Sequence, residues 1–309
     1  MKDKLKDFKL PIVKDFNEVM GGDSPGDKVL LCQGHVENAE LIMPHLVDEM
    51  QKFDAEKLVI SVAGGSGVGK SGVAALIAHY LNVNGVKSYL ISGDNYPKRR
   101  PFLNDEERTN IFRRNGLKGL VESGQYTTTN FEILTTLQKS NQDAGHEHIA
   151  HYPWLAAYIE AGTKALGAYL GSTQEQDFAE LESILKAFKA KESSILLKRM
   201  GREEFEVHYD AVDFSKTKVV IVEWTHALSD ELTQIDIPVL LCSTPEETLE
   251  RRKLRNRGNE QIDTPFISMV LRIEQNLINE KAAKAKVFLT QEPKIITLSQ
   301  FQEQLSEGE

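Results

Sequence analysis

Cysteine is nearly missing from this chain: Cys32 and Cys242 are the only two, far apart and each inside an apolar run. That excludes a disulfide scaffold and a CxxC metal or redox pair, and both thiols are expected to be buried and reduced. A basic excess is lacking too. The net charge of −9 at pH 7 speaks against general affinity for nucleic acid or anionic membrane, because both rely on clustered Lys and Arg. No apolar run approaches a membrane span, and Met1-Lys2-Asp3-Lys4-Leu5-Lys6 carries no secretory core. These absences together predict a cytoplasmic protein. Internal repeats and low-complexity tracts are also lacking. His146-Glu147-His148 stops short of an HExxH zinc site, since Ala150 stands where the second His belongs.

What is there suits an ordinary globular chain. With 309 residues, 40% hydrophobic and 27% charged, it can bury a core of one large or two modest domains. Residues 1–28 are polar and broken by Pro11, Gly21, Gly22, Pro25 and Gly26, a loosely organised lead-in. Val29-Leu30-Leu31-Cys32 reads as a short strand, and residues 36–53 repeat apolar positions at helical spacing. From residue 58 strands and helices alternate: strands at 58–63, 88–92, 218–222, 239–242 and 286–290, with a helix over 73–81. Residues 97–205 read as one mainly helical insertion, with pieces near 105–121, 129–139, 154–170 and 177–190. Such alternation predicts an α/β fold, a three-layer sandwich around a mostly parallel sheet. Residues 1–57 are expected to form an N-terminal extension packed on a domain over 58–309.

The sharpest motif is Gly64-Gly65-Ser66-Gly67-Val68-Gly69-Lys70-Ser71, a full G-x-x-x-x-G-K-[ST] between a buried strand and a helix. Glycines let successive backbone N–H groups turn toward phosphate oxygens, and the helix N-terminus adds partial positive charge. Lys70 is expected on the β- and γ-phosphates of ATP, and the Ser71 hydroxyl on Mg²⁺. The chain is thus expected to be a P-loop NTPase. Asp94 follows the strand 88–92, at the end of the sheet where ligands collect, and can take a proton from an attacking hydroxyl. Lys218-Val219-Val220-Ile221-Val222-Glu223 is an apolar strand ending in a carboxylate, a Walker-B arrangement that sets Glu223 beside the Mg²⁺. Trp224 follows it where water-splitting motors carry a second acid. Residues 251–265 open on Arg251, Arg252, Arg255 and Arg257 and read as a lid. In that reading Arg252 neutralises the transferring group, and Arg251, Arg255 and Arg257 hold the nucleotide.

In this order the elements resemble the uridine kinase and phosphoribulokinase family of P-loop kinases, over about residues 58–290. The resemblance implies transfer of the γ-phosphoryl group of ATP to a hydroxyl of a small metabolite. It implies Asp94 as base or acceptor ligand, with Tyr96 beside it in a D-x-[FY] motif. Asp177-Phe178 resembles the start of the family's D-F-x-x-L segment, and His208-Tyr209-Asp210 its substrate-facing turn, so His208 and Tyr209 would touch the acceptor. Trp224 stands where the family usually has Gly. A second, local resemblance spans Tyr89 to Arg114: Gly93-Asp94-Asn95, Arg99-Arg100, Leu103-Asn104 and Arg108-Thr109-Asn110-Ile111 are similar to the adenylylsulfate kinase motif. It implies that Arg99, Arg100, Arg108, Asn110 and Arg113 bind an anionic acceptor.

Downstream of Ser71 neither an N-K-x-D guanine reader nor a D-x-x-G switch occurs, which removes a regulatory GTPase. A regulator that binds ATP without transferring phosphate would share every motif above and stays open. The expected partner is a small-molecule acceptor, with no nucleic acid and no membrane; homo-oligomer formation is left open.

Overall fold

Strand β1 (Leu58–Gly64) is buried along its whole length, the signature of a central parallel strand covered on both faces. The computed structural model describes residues 2–13, 15–25, 29–201, 203–255 and 264–308. Within them the strands are β1, β2 (Ser88–Ser92), β3 (Ser194–Arg199), β4 (His208–Asp213), β5 (Val219–Glu223), β6 (Ile237–Leu241), β7 (Val287–Leu289) and β8 (Ile295–Ile296). The helices are α1 (Lys2–Lys6), α2 (Gln33–Lys52), α3 (Lys70–Val83), α4 (Pro101–Glu122), α5 (Thr128–Lys139), α6 (Leu155–Tyr169), α7 (Phe178–Lys189), α8 (Leu249–Arg255), α9 (Pro265–Lys281) and α10 (Leu298–Gly308). None of the described helices is long and apolar enough to cross a membrane.

One sheet runs in the order β2-β5-β1-β6-β7-β8, parallel except for β8. This is the α/β sandwich that the strand and helix alternation predicts. Side-chain alternation divides its core in two. Leu58, Ile60 and Val62 of β1, with Val219 and Ile221 of β5, face α2 and α3; Val59, Ala63, Val220 and Val222 face a second cluster with Phe178, Leu181, Leu185 and Phe188 of α7. Asp177 caps α7, accepting a hydrogen bond from the Glu180 N–H at 3.2 Å.

Three expectations need correcting. Val29 to Cys32 is not a strand; Val29 and Leu31 spend their apolar surface on the α2–α3 cluster as the chain enters α2. His208 to Asp210 is not a turn but the start of β4, paired antiparallel with β3 in a separate hairpin. Cys32 is exposed, while Cys242 is buried, and burial pushes its thiol up to about 12.

The chain divides into two compact units. The first holds residues 1–96, 177–248 and 278–309 and contains both sheets. The second holds residues 97–176 and 249–277 and is helical. The stretch expected as one insertion over 97–205 is therefore shared between them. In the second unit Phe112, Leu120, Tyr158, Leu166 and Met269 belong to its own core. There α4 and α6 approach so closely that a Cβ on Gly119 would lie 2.4 Å from Cβ of Ala161.

Candidate active site

The glycine-rich loop leaves β1 at Gly64 and enters α3 at Lys70. Gly67 and Gly69 take φ of 82° and 100°, the left-handed region that side chains other than Gly resist. Gly69 is the N-cap residue of α3 and accepts the Val73 N–H at 3.1 Å, so the helix starts on the loop itself. The Lys70 ammonium donates to the Gly65 carbonyl at 3.0 Å. It lies back across the loop, where a phosphate chain held by the loop amides would meet it. The imidazole of His35, in the first turn of α2, covers this start: a Cβ on Gly72 would lie 2.7 Å from its Cγ.

Asp94 and Glu223 stand at adjoining strand ends. Glu223 closes β5 and is in register with Val62 of β1 and Ser92 of β2. Asp94 is exposed in the single 3-10 turn, Gly93–Asn95, that follows β2. The loop after β1, the Glu223 carboxylate and Asp94 thus share the carboxyl edge of one parallel sheet, where open α/β sheets bind ligands. Trp224 shapes this edge. It is buried, and a Cβ on Gly93 would fall 2.0 Å from its Cγ. Glycine before Asp94 is the room the indole needs, and Phe178 and His226 pack on the ring at 5.1 and 5.3 Å between centroids.

Other expected contacts lie elsewhere or are already engaged. Tyr96 is fully buried in the core cluster behind the sheet edge, and burial pushes its hydroxyl above the usual phenol range. It is a packing residue, not an exposed acceptor contact. Tyr209 is exposed and donates to Oε1 of Glu180 at 2.8 Å, a bond that pushes its own ionisation up to about 12. His208 is exposed, with Nδ1 3.0 Å from the Glu206 carbonyl.

In the second unit, Arg108 donates through Nε to Glu175 at 2.6 Å and through Nη2 to Glu274 at 3.2 Å, and the Glu175 side chain is 0% exposed. Arg113 grips Asp143 with two bonds of 3.0 and 2.9 Å. Arg99 donates to the Tyr169 hydroxyl at 3.0 Å and to the Gln174 carbonyl at 3.3 Å. Arg108 and Arg113 are thus paired with carboxylates of their own unit. Arg100 precedes α4 as its N-cap, and Asn110 is exposed on that helix. Arg251 and Arg252 lie on α8, Arg251 exposed and Arg252 half-buried. Arg255 ends that helix, and Arg257 lies outside the described residues.

One cluster of the first unit gives no sequence signal. Asp23, in the polar lead-in, is bonded to Ser92, Asn95, Tyr89 and Arg199. Burial pushes its carboxyl up, opposed by the Ser92 N–H and by Arg199. Gly21-Gly22-Asp23-Ser24-Pro25 reads locally as a turn, and nothing in it names a partner 176 positions away.

The donor set fits Mg²⁺. Among the described residues no group of three or more His, Cys, Asp or Glu could cage a metal ion. What the sheet edge offers is a hydroxyl, Ser71, in the first turn of α3 and a carboxylate, Glu223, closing β5. Mg²⁺ takes hard oxygen donors and commonly relies on one or two side chains plus phosphate and water.

No protein-family model matches the chain. Among solved structures, a candidate fructose transport system kinase from Silicibacter sp. TM1040 superposes with a TM-score of 0.47 at 12% identity, over 77% of this chain and 91% of that one. A possible uridine kinase from Bacillus stearothermophilus gives 0.42 at 15% identity, over 81% and 98%. In sequence, the chain is similar to the bifunctional alpha-galactosidase/sucrose kinase AgaSK of Mediterraneibacter gnavus, 35% identical over 244 residues that make up 78% of this chain and 21% of that protein. The chain thus spans about one fifth of the length of that curated relative.

Proposed function

We propose that the chain is an ATP-dependent kinase that phosphorylates a hydroxyl of an uncharged, sugar-type metabolite. The observation that carries this reading is the phosphate loop with Lys70 laid across it, sharing one sheet edge with Asp94 and Glu223. The sugar-type acceptor draws support from the relative described as a sucrose kinase. An uncharged acceptor draws support from the arginines, since Arg108 and Arg113 are paired with carboxylates in the second unit. An adenylylsulfate acceptor would need them free.

In this reading the amides of residues 65–69 and the Lys70 ammonium hold the triphosphate tail. Ser71 and Glu223 would hold Mg²⁺, which when bound would offset negative charge on the phosphates. Asp94 would take the proton from the acceptor hydroxyl as its oxygen bonds to the γ-phosphorus and the bond from that phosphorus to the β–γ bridging oxygen breaks, ADP leaving. The run with Arg251, Arg252, Arg255 and Arg257 is what the sequence offers for neutralising the group in transfer. Little covalent work falls to the protein; positioning and charge stabilisation supply the rate.

The test is ADP release from MgATP in the presence of sucrose, fructose, glucose, uridine or adenylylsulfate. A neutral sugar is expected to raise the rate well above the solvent background, and Asp94→Asn to lower the raised rate by about 10²-fold or more, the usual scale for a positioned base. Stimulation by adenylylsulfate alone contradicts the neutral acceptor. ADP release indifferent to every acceptor contradicts the kinase.

A further inference from the structure

Asp94 sits in a single turn of 3-10 helix, and such a turn has little stiffness of its own. Its neighbours on both sides are held by one side chain. Oδ1 of Asp23 accepts the Ser92 N–H at 2.8 Å and the Asn95 Nδ2–H at 3.0 Å. The other carboxylate oxygen accepts from Arg199 Nη1 at 2.7 Å and from the Tyr89 hydroxyl at 3.2 Å. The Asn95 side chain is fixed at its other end as well, its Oδ1 accepting the Met200 N–H at 3.0 Å and the Ser24 hydroxyl at 3.3 Å. Arg199 is clamped in turn, donating through Nε to Asp210 at 2.9 Å and through Nη2 to the Tyr89 hydroxyl at 3.1 Å.

The pair at the centre is closed to water, with the Asp23 side chain 9% and the Arg199 side chain 7% exposed. Charge-assisted bonds in such surroundings hold their geometry more strictly than neutral ones in water. Asp23 therefore ties three pieces that are distant in sequence: the lead-in before α2, the turn after β2, and the β3–β4 hairpin. The catalytic role given to Asp94 asks for a carboxylate held steady against an acceptor hydroxyl. The segment that read as a loose lead-in supplies the hold.

Resting on that reading of Asp94, we infer that Asp23 is a positioning residue for the transfer reaction, fixing the turn that carries the base from both sides while touching neither nucleotide nor acceptor. The lead-in is then part of the active-site architecture. Loss of the Asp23 charge removes one of the two carboxylates bonded to Arg199, and the turn at residues 93–95 has one of its anchors weakened. Misplacement of a reacting group by about 1 Å costs on the order of 10²-fold in rate. Phosphate binding by the loop after β1 involves none of these bonds, so nucleotide affinity stays.

The test compares wild type, Asp23→Asn, Asn95→Ala and Asp94→Asn. ADP release from MgATP is measured with whichever sugar of the panel above wild type accepts, and with water alone, and each rate is divided by the number of nucleotide sites counted by MgATP titration. That division removes misfolded molecules. The expected result is a kcat per site lowered roughly 10- to 100-fold in Asp23→Asn, with MgATP affinity and KM for ATP within about twofold of wild type. Asn95→Ala cuts the same tie without disturbing the Asp23–Arg199 pair, and it is expected to lower kcat likewise, should Asp23→Asn fail to fold. If Asp94→Asn is slow while Asp23→Asn and Asn95→Ala match wild type, the inference is overturned and the role of Asp94 stands. If Asp94→Asn itself matches wild type, the reading of Asp94 fails and takes the inference with it.

Discussion

Two arginines, Arg108 and Arg199, carry charge into places where little water follows, and in each the surroundings say what the charge is for. Arg108 lies between Glu175 and Glu274, with the carboxylate of Glu175 also accepting from Asn104 at 3.1 Å and from the Gly171 N–H at 2.7 Å. Such a group is a joint between α4, α9 and the end of the 97–176 segment. Removing one partner of a buried ion pair costs about 3–5 kcal/mol, because the other charge is left stranded. Arg108→Ala is accordingly expected to lower the stability of the protein by an amount of that order in urea unfolding, with KM for the acceptor unchanged in the molecules that remain folded. A raised acceptor KM at unaltered stability would return Arg108 to the substrate. From sequence the two roles look alike: an Arg four residues from an Asn in a charged helix fits both, and the deciding carboxylates lie 67 and 166 positions away. Asp23 was hidden for the same reason.

At the level of elements, local pattern was a good guide wherever a segment is buried on both faces or starts a helix. The run Ser88-Tyr89-Leu90-Ile91-Ser92 is β2 to the residue, and β1 and β5 fall within one residue of their expected bounds. The β3–β4 hairpin was not legible: β4 is exposed along most of its length, so it lacks an apolar stripe, and β3 is a short apolar run within a long helical stretch. Strand pairing of that kind is decided by the partner rather than by the segment. The contact of Gly93 with Trp224 belongs to this scale too, since it sets how β2 and β5 end beside each other. Gly93→Ala is expected to cost about 1–3 kcal/mol by overpacking, read as a lower midpoint in chemical denaturation. Trp224→Leu opens the space, so adding Gly93→Ala to it should cost measurably less than in wild type. Equal cost in both backgrounds would show that the indole is not what excludes a side chain at residue 93.

On the scale of the whole molecule, a parallel sheet carries the loop, Asp94 and Glu223 on one edge, and a second, helical unit carries the arginines that the sequence offers as a lid. The order of strands and helices disclosed the sandwich because each βα step is a local pattern repeated along the chain. The division of residues 97–205 between the two units was beyond reach, because helical periodicity marks an amphipathic helix without saying which core it faces. The loop amides and Lys70 sit at the sheet edge of the first unit, in a chain whose net charge is −9. Everything proposed for the reaction depends on that region gripping a triphosphate. Isothermal titration of MgATP into wild type and Lys70→Ala reads this without knowledge of the acceptor. Loss of charged hydrogen bonds worth about 1.5–3 kcal/mol predicts a one-site isotherm for wild type whose affinity falls roughly 10- to 150-fold in the variant. No heat of binding with wild type, or equal affinity for the two proteins, would contradict it.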